Sequence, residues 1–138
     1  MRRRDASAGI PSTDLLKIDK DCVVNAKLQR EYVGTILDIC GKRGVEVLWI
    51  KRTDTAHGVH FYIKISPPVD GVMANNLQYL LGDDSKRVGF NKARIESGLV
   101  EWSKLFERTN CRMTTIYRAD SKYQNVNEMS DLRVVDWV

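Results

Sequence analysis

Cysteine is scarce in this sequence, and its three copies, Cys22, Cys40 and Cys111, are odd in number and widely spaced. That excludes a disulfide framework and a paired-cysteine zinc site, and a reducing, intracellular compartment fits best. Cys22 and Cys40 flank or lie on one expected helix, where a thiol acts as a small apolar group. No apolar run approaches the roughly 20 residues of a membrane-spanning helix, so no membrane partner is expected. The opening stretch MRRRDASAGIPSTD is basic but lacks the apolar segment of a secretory signal. There is no GxxxxGK[ST] phosphate loop and no dinucleotide-binding GxGxxG. A strong charge of either sign is also missing: the net charge of +4 permits nucleic-acid binding without requiring it.

What is present is an ordinary globular composition over 138 residues, enough for one domain with its own core. Residues 1–13 read as a flexible basic arm and residues 14–138 as a single α+β domain. Leu15–Asp19 is a short expected strand. From Cys22 to Lys42, apolar residues recur at helical steps (Val24, Leu28, Tyr32, Val33, Ile36, Cys40), with Asp21 as the expected N-cap and Gly41 and Gly44 at the stop. Asp70–Leu81 and Ser85–Ser97 are further helices, the first presenting Met73, Leu77, Leu80 and Leu81 on one side, the second capped by Asp83-Asp84-Ser85. Leu99–Glu107 is amphipathic. Arg112–Arg118 and Leu132–Val138 read as strands. The order predicts an antiparallel sheet with helices packed on one face, ferredoxin-like or of the RNA-recognition (RRM-like) type.

The centre of this pattern is the hairpin Val45–Ile65, two β-branched and aromatic runs joined by Thr53-Asp54-Thr55-Ala56-His57-Gly58 and ended by Ser66-Pro67-Pro68. Strand alternation sends Val59, Phe61, Ile63 and Ile65 toward the helices and His60, Tyr62 and Lys64 to the other face. That second face is either a solvated surface or a chemically equipped one.

Asp19-Lys20-Asp21 ends the first strand, and two carboxylates at that spacing can converge on Mg²⁺ or Mn²⁺, leaving positions open for phosphate. His60 begins a strand on the polar face, where an imidazole can donate to phosphate or exchange protons. An Asp-x-Asp before a helix also serves as a cap and a turn residue. His57 and His60, with two residues between them, would point to opposite faces of an extended strand, which argues against a paired-histidine nuclease site.

The strand Leu15-Leu16-Lys17-Ile18-Asp19-Lys20-Asp21 and the turn Thr55-Ala56-His57-Gly58-Val59-His60 resemble the DxD strand and Gly-x-His hairpin of archaeo-eukaryotic-type primases and primase-polymerases. The resemblance covers roughly Leu15 to Ile65. It implies metal binding by Asp19 and Asp21, nucleotide-phosphate contact by His60, and a core related to the RNA-recognition fold. The chain departs from that pattern at Gly58, where a small hydroxyl residue is usual, and at Lys20, where an apolar residue is common. Asp120 and Asp136 are the candidates for the family's third acidic residue. Leu77–Phe106 is similar to a pattern found in small phage, plasmid or archaeal mobile-element proteins.

The expected function is therefore a nucleic-acid-binding, replication-associated, primase-like role, with metal-dependent nucleotidyl transfer in its active form. Asp19, Asp21 and His60 are the catalytic candidates. Lys51, Arg52, Tyr62, Lys64, Arg87, Lys92 and Arg94 are the nucleic-acid-binding candidates, the last three as a cationic helix face. DNA or RNA is the expected partner, with a nucleotide as substrate. The alternative is a non-catalytic nucleic-acid-binding or protein-interaction module of a virus or mobile element.

Overall fold

The computed structural model describes residues 12–83, 85–98 and 112–120. In chain order these form β1 (Ser12–Lys20), α1 (Ala26–Lys42), β2 (Glu46–Asp54), β3 (Val59–Asp70), α2 (Gly71–Leu80), α3 (Ser85–Glu96) and β4 (Met113–Arg118). The strands make one open antiparallel sheet in the order β1-β3-β2-β4, and with the three helices this is an α+β arrangement consistent with a ferredoxin-like fold.

The core forms because each element turns its apolar period to the same side. Val59, Phe61, Ile63 and Ile65 of β3 are buried, and Leu16, Ile18, Val47 and Ile50 from the neighbouring strands join them. Val33, Ile36 and Cys40 of α1 and Ala74 and Leu77 of α2 close over that layer. The Tyr32 ring tilts onto Phe61 at 4.9 Å between centroids. At roughly 1.5–3 kcal/mol for each large apolar side chain buried, this layer dominates the stability of the fold.

Helices α1 and α2 stop in the same way. Gly44 (φ 81°) and Gly82 (φ 89°) adopt the left-handed conformation open to glycine. The amides that follow them, of Val45 and Asp83, donate back to the carbonyls of Cys40 and Gln78. These are paired Schellman caps.

Several expectations are corrected. The N-cap of α1 is Asn25, whose side chain accepts from the Leu28 amide, and Asp21 lies exposed in the connection before it. Cys22, outside the helix, is exposed rather than packed. Ser66-Pro67-Pro68 does not end β3. The β1–β3 register jumps from Leu15 opposite Lys64 to Thr13 opposite Val69, so the prolines, which cannot donate, sit in a bulge and the ladder resumes beyond them. Leu80 is exposed, while Ala74 and Gln78, outside the expected apolar side, are buried. Leu99–Glu107, Leu132–Val138 and Asp136 lie outside the described residues.

Candidate functional site

The site grows from the close approach of β1's end to the β2–β3 turn. In the ladder Asp19 lies directly across from His60, and His60 across from Thr53 on β2. The next residues of β1 run against Gly58. A Cβ at Gly58 would collide with the Lys20 carbonyl and crowd the Asp21 Cα, so only glycine lets the turn and the Asp-x-Asp segment meet. This accounts for the absence of a hydroxyl residue there.

The result is an open cleft of about 610 Å³ whose walls include Asp19, Asp21, His57, His60 and Lys86. Asp19 Oδ1 stands 3.5 Å from His60 Nε2, with Asp19 about one-third exposed and His60 nearly buried. His60 is thus no solvated surface residue. His57 also reaches the cleft, because it belongs to the turn before β3 begins, where strand alternation does not apply. Sequence reasoning sent it to the opposite face by treating it as extended. Lys86, at the start of α3, is a lining residue that the sequence candidates do not include.

Lys20, between the two aspartates, faces away from the cleft. Its ammonium lies 4.8 Å from the Tyr32 ring centroid and against Gly82. Tyr32 itself is fixed by donating to the Leu81 carbonyl at 2.6 Å. The Lys20 position is therefore part of the packing between β1, α1 and the turn after α2.

Of the two candidates for a third carboxylate, Asp136 lies outside the described residues and Asp120 is away from the site. Asp120 lies beside Arg118, whose register partner is Trp49, at the end of the sheet remote from the Asp19–His60–Thr53 row. The acidic group next to Asp19 is Asp83, expected as a cap of α3. Its side chain is fully buried, and its Oδ1 accepts from the Asp19 amide at 2.8 Å. Among the described residues, no three His, Cys, Asp or Glu side chains form a ready-made metal cluster. Asp19 and Asp21 still suit a hard cation such as Mg²⁺, which is held by one or two carboxylates with water and phosphate completing its shell.

The other candidates divide by position. Lys51 is on the same face as Tyr62 and Lys64, its ammonium 4.5 Å from the Trp49 ring centroid. Lys64 pairs with Asp14 at 2.7 Å. Arg52 lies on the helix-facing side, 5% exposed, and bonds Asp54 and Gln29. Arg87 reaches the β1 edge and donates to the Lys17 carbonyl. Burial lowers its pKa from the usual range, opposed by the charges of Asp83 and Asp19. Lys92 is exposed farther along α3, and Arg94 donates to Asn91.

No family model matches this chain, and neither a curated protein nor a solved structure does. The functional reading therefore rests on the cleft and on the primase-like motif pattern. No helix among the described residues is long and apolar enough to cross a membrane.

Proposed function

We propose that this protein is a nucleic-acid-binding, replication-associated domain of the primase-like kind, from a virus or mobile element. Its cleft would hold Mg²⁺ or Mn²⁺ on Asp19 and Asp21 beside a phosphate of a nucleotide or nucleic acid. The supporting observation is that Asp19, Asp21, His57, His60 and Lys86 line one cleft although they come from three separate stretches of chain. Carboxylates together with imidazoles and an ammonium match a cation–phosphate pair better than either ion alone. A cation there would neutralise phosphate charge during displacement at phosphorus. His60 would donate to a phosphate oxygen, held in place by its cross-strand contact with Asp19, and Lys86 would add a second positive contact. The free thiols of Cys22 and Cys40 suit a reducing, intracellular setting.

A second reading, a non-catalytic nucleic-acid-binding module, is favoured by the Trp49–Lys51 stack on the face that also carries Tyr62 and Lys64. Aromatic and basic side chains on one sheet face suit stacked single-stranded bases.

Fluorescence anisotropy with single-stranded DNA and RNA oligomers, with and without Mg²⁺, tests both readings. The first predicts binding strengthened by Mg²⁺ in the wild type but not in Asp19→Ala, and any nucleotidyl transfer lost in that variant. The second predicts Mg²⁺-independent binding weakened by Lys51→Ala and Lys64→Ala, each lowering the salt slope by about 0.7. Absence of binding to either oligomer contradicts both.

A further inference from the structure

We infer that the buried Asp83–Arg87 pair is the positioning element of the cleft, setting where the Asp19 carboxylate stands when it meets a divalent cation. This rests on the metal-binding reading above. β1 is an edge strand, and edges carry outward amides and carbonyls that need cover. Here side chains from the α2–α3 region supply it. Gln78 Oε1 accepts from the Lys17 amide at 2.9 Å, Arg87 Nη2 donates to the Lys17 carbonyl at 2.8 Å, and Asp83 Oδ1 accepts from the Asp19 amide at 2.8 Å.

Closing an edge does not require charge, as Gln78 demonstrates at Lys17. Burying an ion pair is costly and often no more stabilising than apolar side chains of the same volume. Yet Asp83 and Arg87 have side-chain exposures of 0% and 9%, with 3.6 Å between Oδ1 and Nε. The charged acceptor falls on the amide of the residue whose own side chain opens into the cleft. An ionised acceptor makes a shorter, stronger bond than a neutral one and holds its donor more rigidly.

The Schellman cap at Gly82 sets the backbone of Asp83, its amide donating to the Gln78 carbonyl. Arg87 follows one helical turn later, and its neighbour Lys86 lines the cleft. One turn of chain thus fixes Asp19 from behind and adds the Lys86 ammonium to the lining of the cleft. Asp83 and Arg87 touch no ligand themselves. They act through Asp19, as outer partners orient the groups that bind a metal.

The test is Mn²⁺ affinity, from the free-ion paramagnetic resonance signal, for the folded wild type, Asp83→Ala and Asp83→Asn, with thermal melting measured alongside. The amide oxygen of asparagine can accept the same bond from Asp19. Asp83→Ala should bind Mn²⁺ about tenfold more weakly, the usual loss when an outer partner is removed. Asp83→Asn, which keeps the acceptor but loses its charge, should fall between Asp83→Ala and wild type, whatever its melting temperature. Equal affinity in all three proteins, with only the melting temperatures differing, would reduce the pair to a structural role and overturn the inference alone. A wild type that binds no Mn²⁺ overturns the metal reading and this inference together. Should Asp83→Ala fail to fold, Arg87→Gln, which removes the charge that holds Asp83, takes its place: weaker Mn²⁺ binding supports the inference and unchanged binding overturns it.

Discussion

Asp19 and His60 face each other across the β1–β3 ladder with 3.5 Å between Oδ1 and Nε2, while the Asp19 amide is held from behind by Asp83. The main chain of Asp19 carries the structural bond, and its side chain is left to the cleft. Asp21→Ala should change unfolding free energy by less than about 0.5 kcal/mol, as exposed substitutions do, and Asp19→Ala should cost about 1 kcal/mol by removing the carboxylate beside buried His60. Asn25→Ala should cost about 1 kcal/mol, because Asn25 and not Asp21 caps α1. Urea denaturation of the three variants checks both statements.

Gly58 and Gly34 should respond in opposite directions to the same substitution. A Cβ at Gly58 meets backbone atoms of Lys20 and Asp21, which cannot move without displacing the Asp-x-Asp segment. Gly58→Ala should cost about 1–3 kcal/mol, the range for overpacking. Gly34 lies inside α1 with nothing near its missing Cβ, so Gly34→Ala should stabilise by about 1 kcal/mol. Denaturation midpoints of the two variants give the comparison directly.

Arg52 and Lys51 are adjacent in sequence and opposite in role. Arg52 is buried against Gln29 and Asp54, so Arg52→Ala should destabilise by about 2 kcal/mol, through lost packing and an orphaned Gln29. The salt dependence of nucleic-acid binding should stay as in wild type. Lys51→Ala should do the reverse, with little change in stability and a shallower salt slope. Paired measurements of melting and of binding across salt concentrations separate the two.

Tyr32 introduces an alkaline limit to stability. Burial, aided by the nearby charge of Asp83, raises its pKa far above the ordinary 10.0. The folded state keeps the phenol proton at pH values where the unfolded chain releases it. The contribution of Tyr32 is complete below 10.0 and falls as pH rises toward the folded value. Cys40, its thiol pushed by burial from 9.0 up to about 11, adds a decline of the same sign that starts earlier. Tyr32→Phe should lose about 1 kcal/mol at pH 8, with the bond to Leu81 removed, and decline less steeply above pH 10. Urea unfolding at several pH values reads both effects.

The apolar face of β3 was legible because alternation over Val59, Phe61, Ile63 and Ile65 is unambiguous, and the stops of α1 and α2 because glycine marks a left-handed turn. The constellation of Asp19, Asp21 and His60 was legible as motifs, but its convergence was not, since that depends on Gly58 letting two backbones touch. The contacts of Asp83 and Arg87 with β1 were hidden for a related reason. An aspartate before a helix and an arginine within one have local roles in any sequence, and only the long-range approach of α2 and α3 to β1 gives them another. Asn25 was overlooked because Asp21 is an equally good cap residue by type, and the choice between them depends on how far the chain stays extended after β1.

If Asp19 and Asp21 hold a divalent cation beside His60, a Mn²⁺ titration followed by amide NMR locates it at the end of β1. Paramagnetic broadening is expected at low Mn²⁺ centred on Asp19, Asp21, Gly58 and His60, abolished in Asp19→Ala/Asp21→Ala and reduced by competing Mg²⁺. Broadening spread evenly over exposed carboxylates, or unchanged in the double variant, would contradict that site.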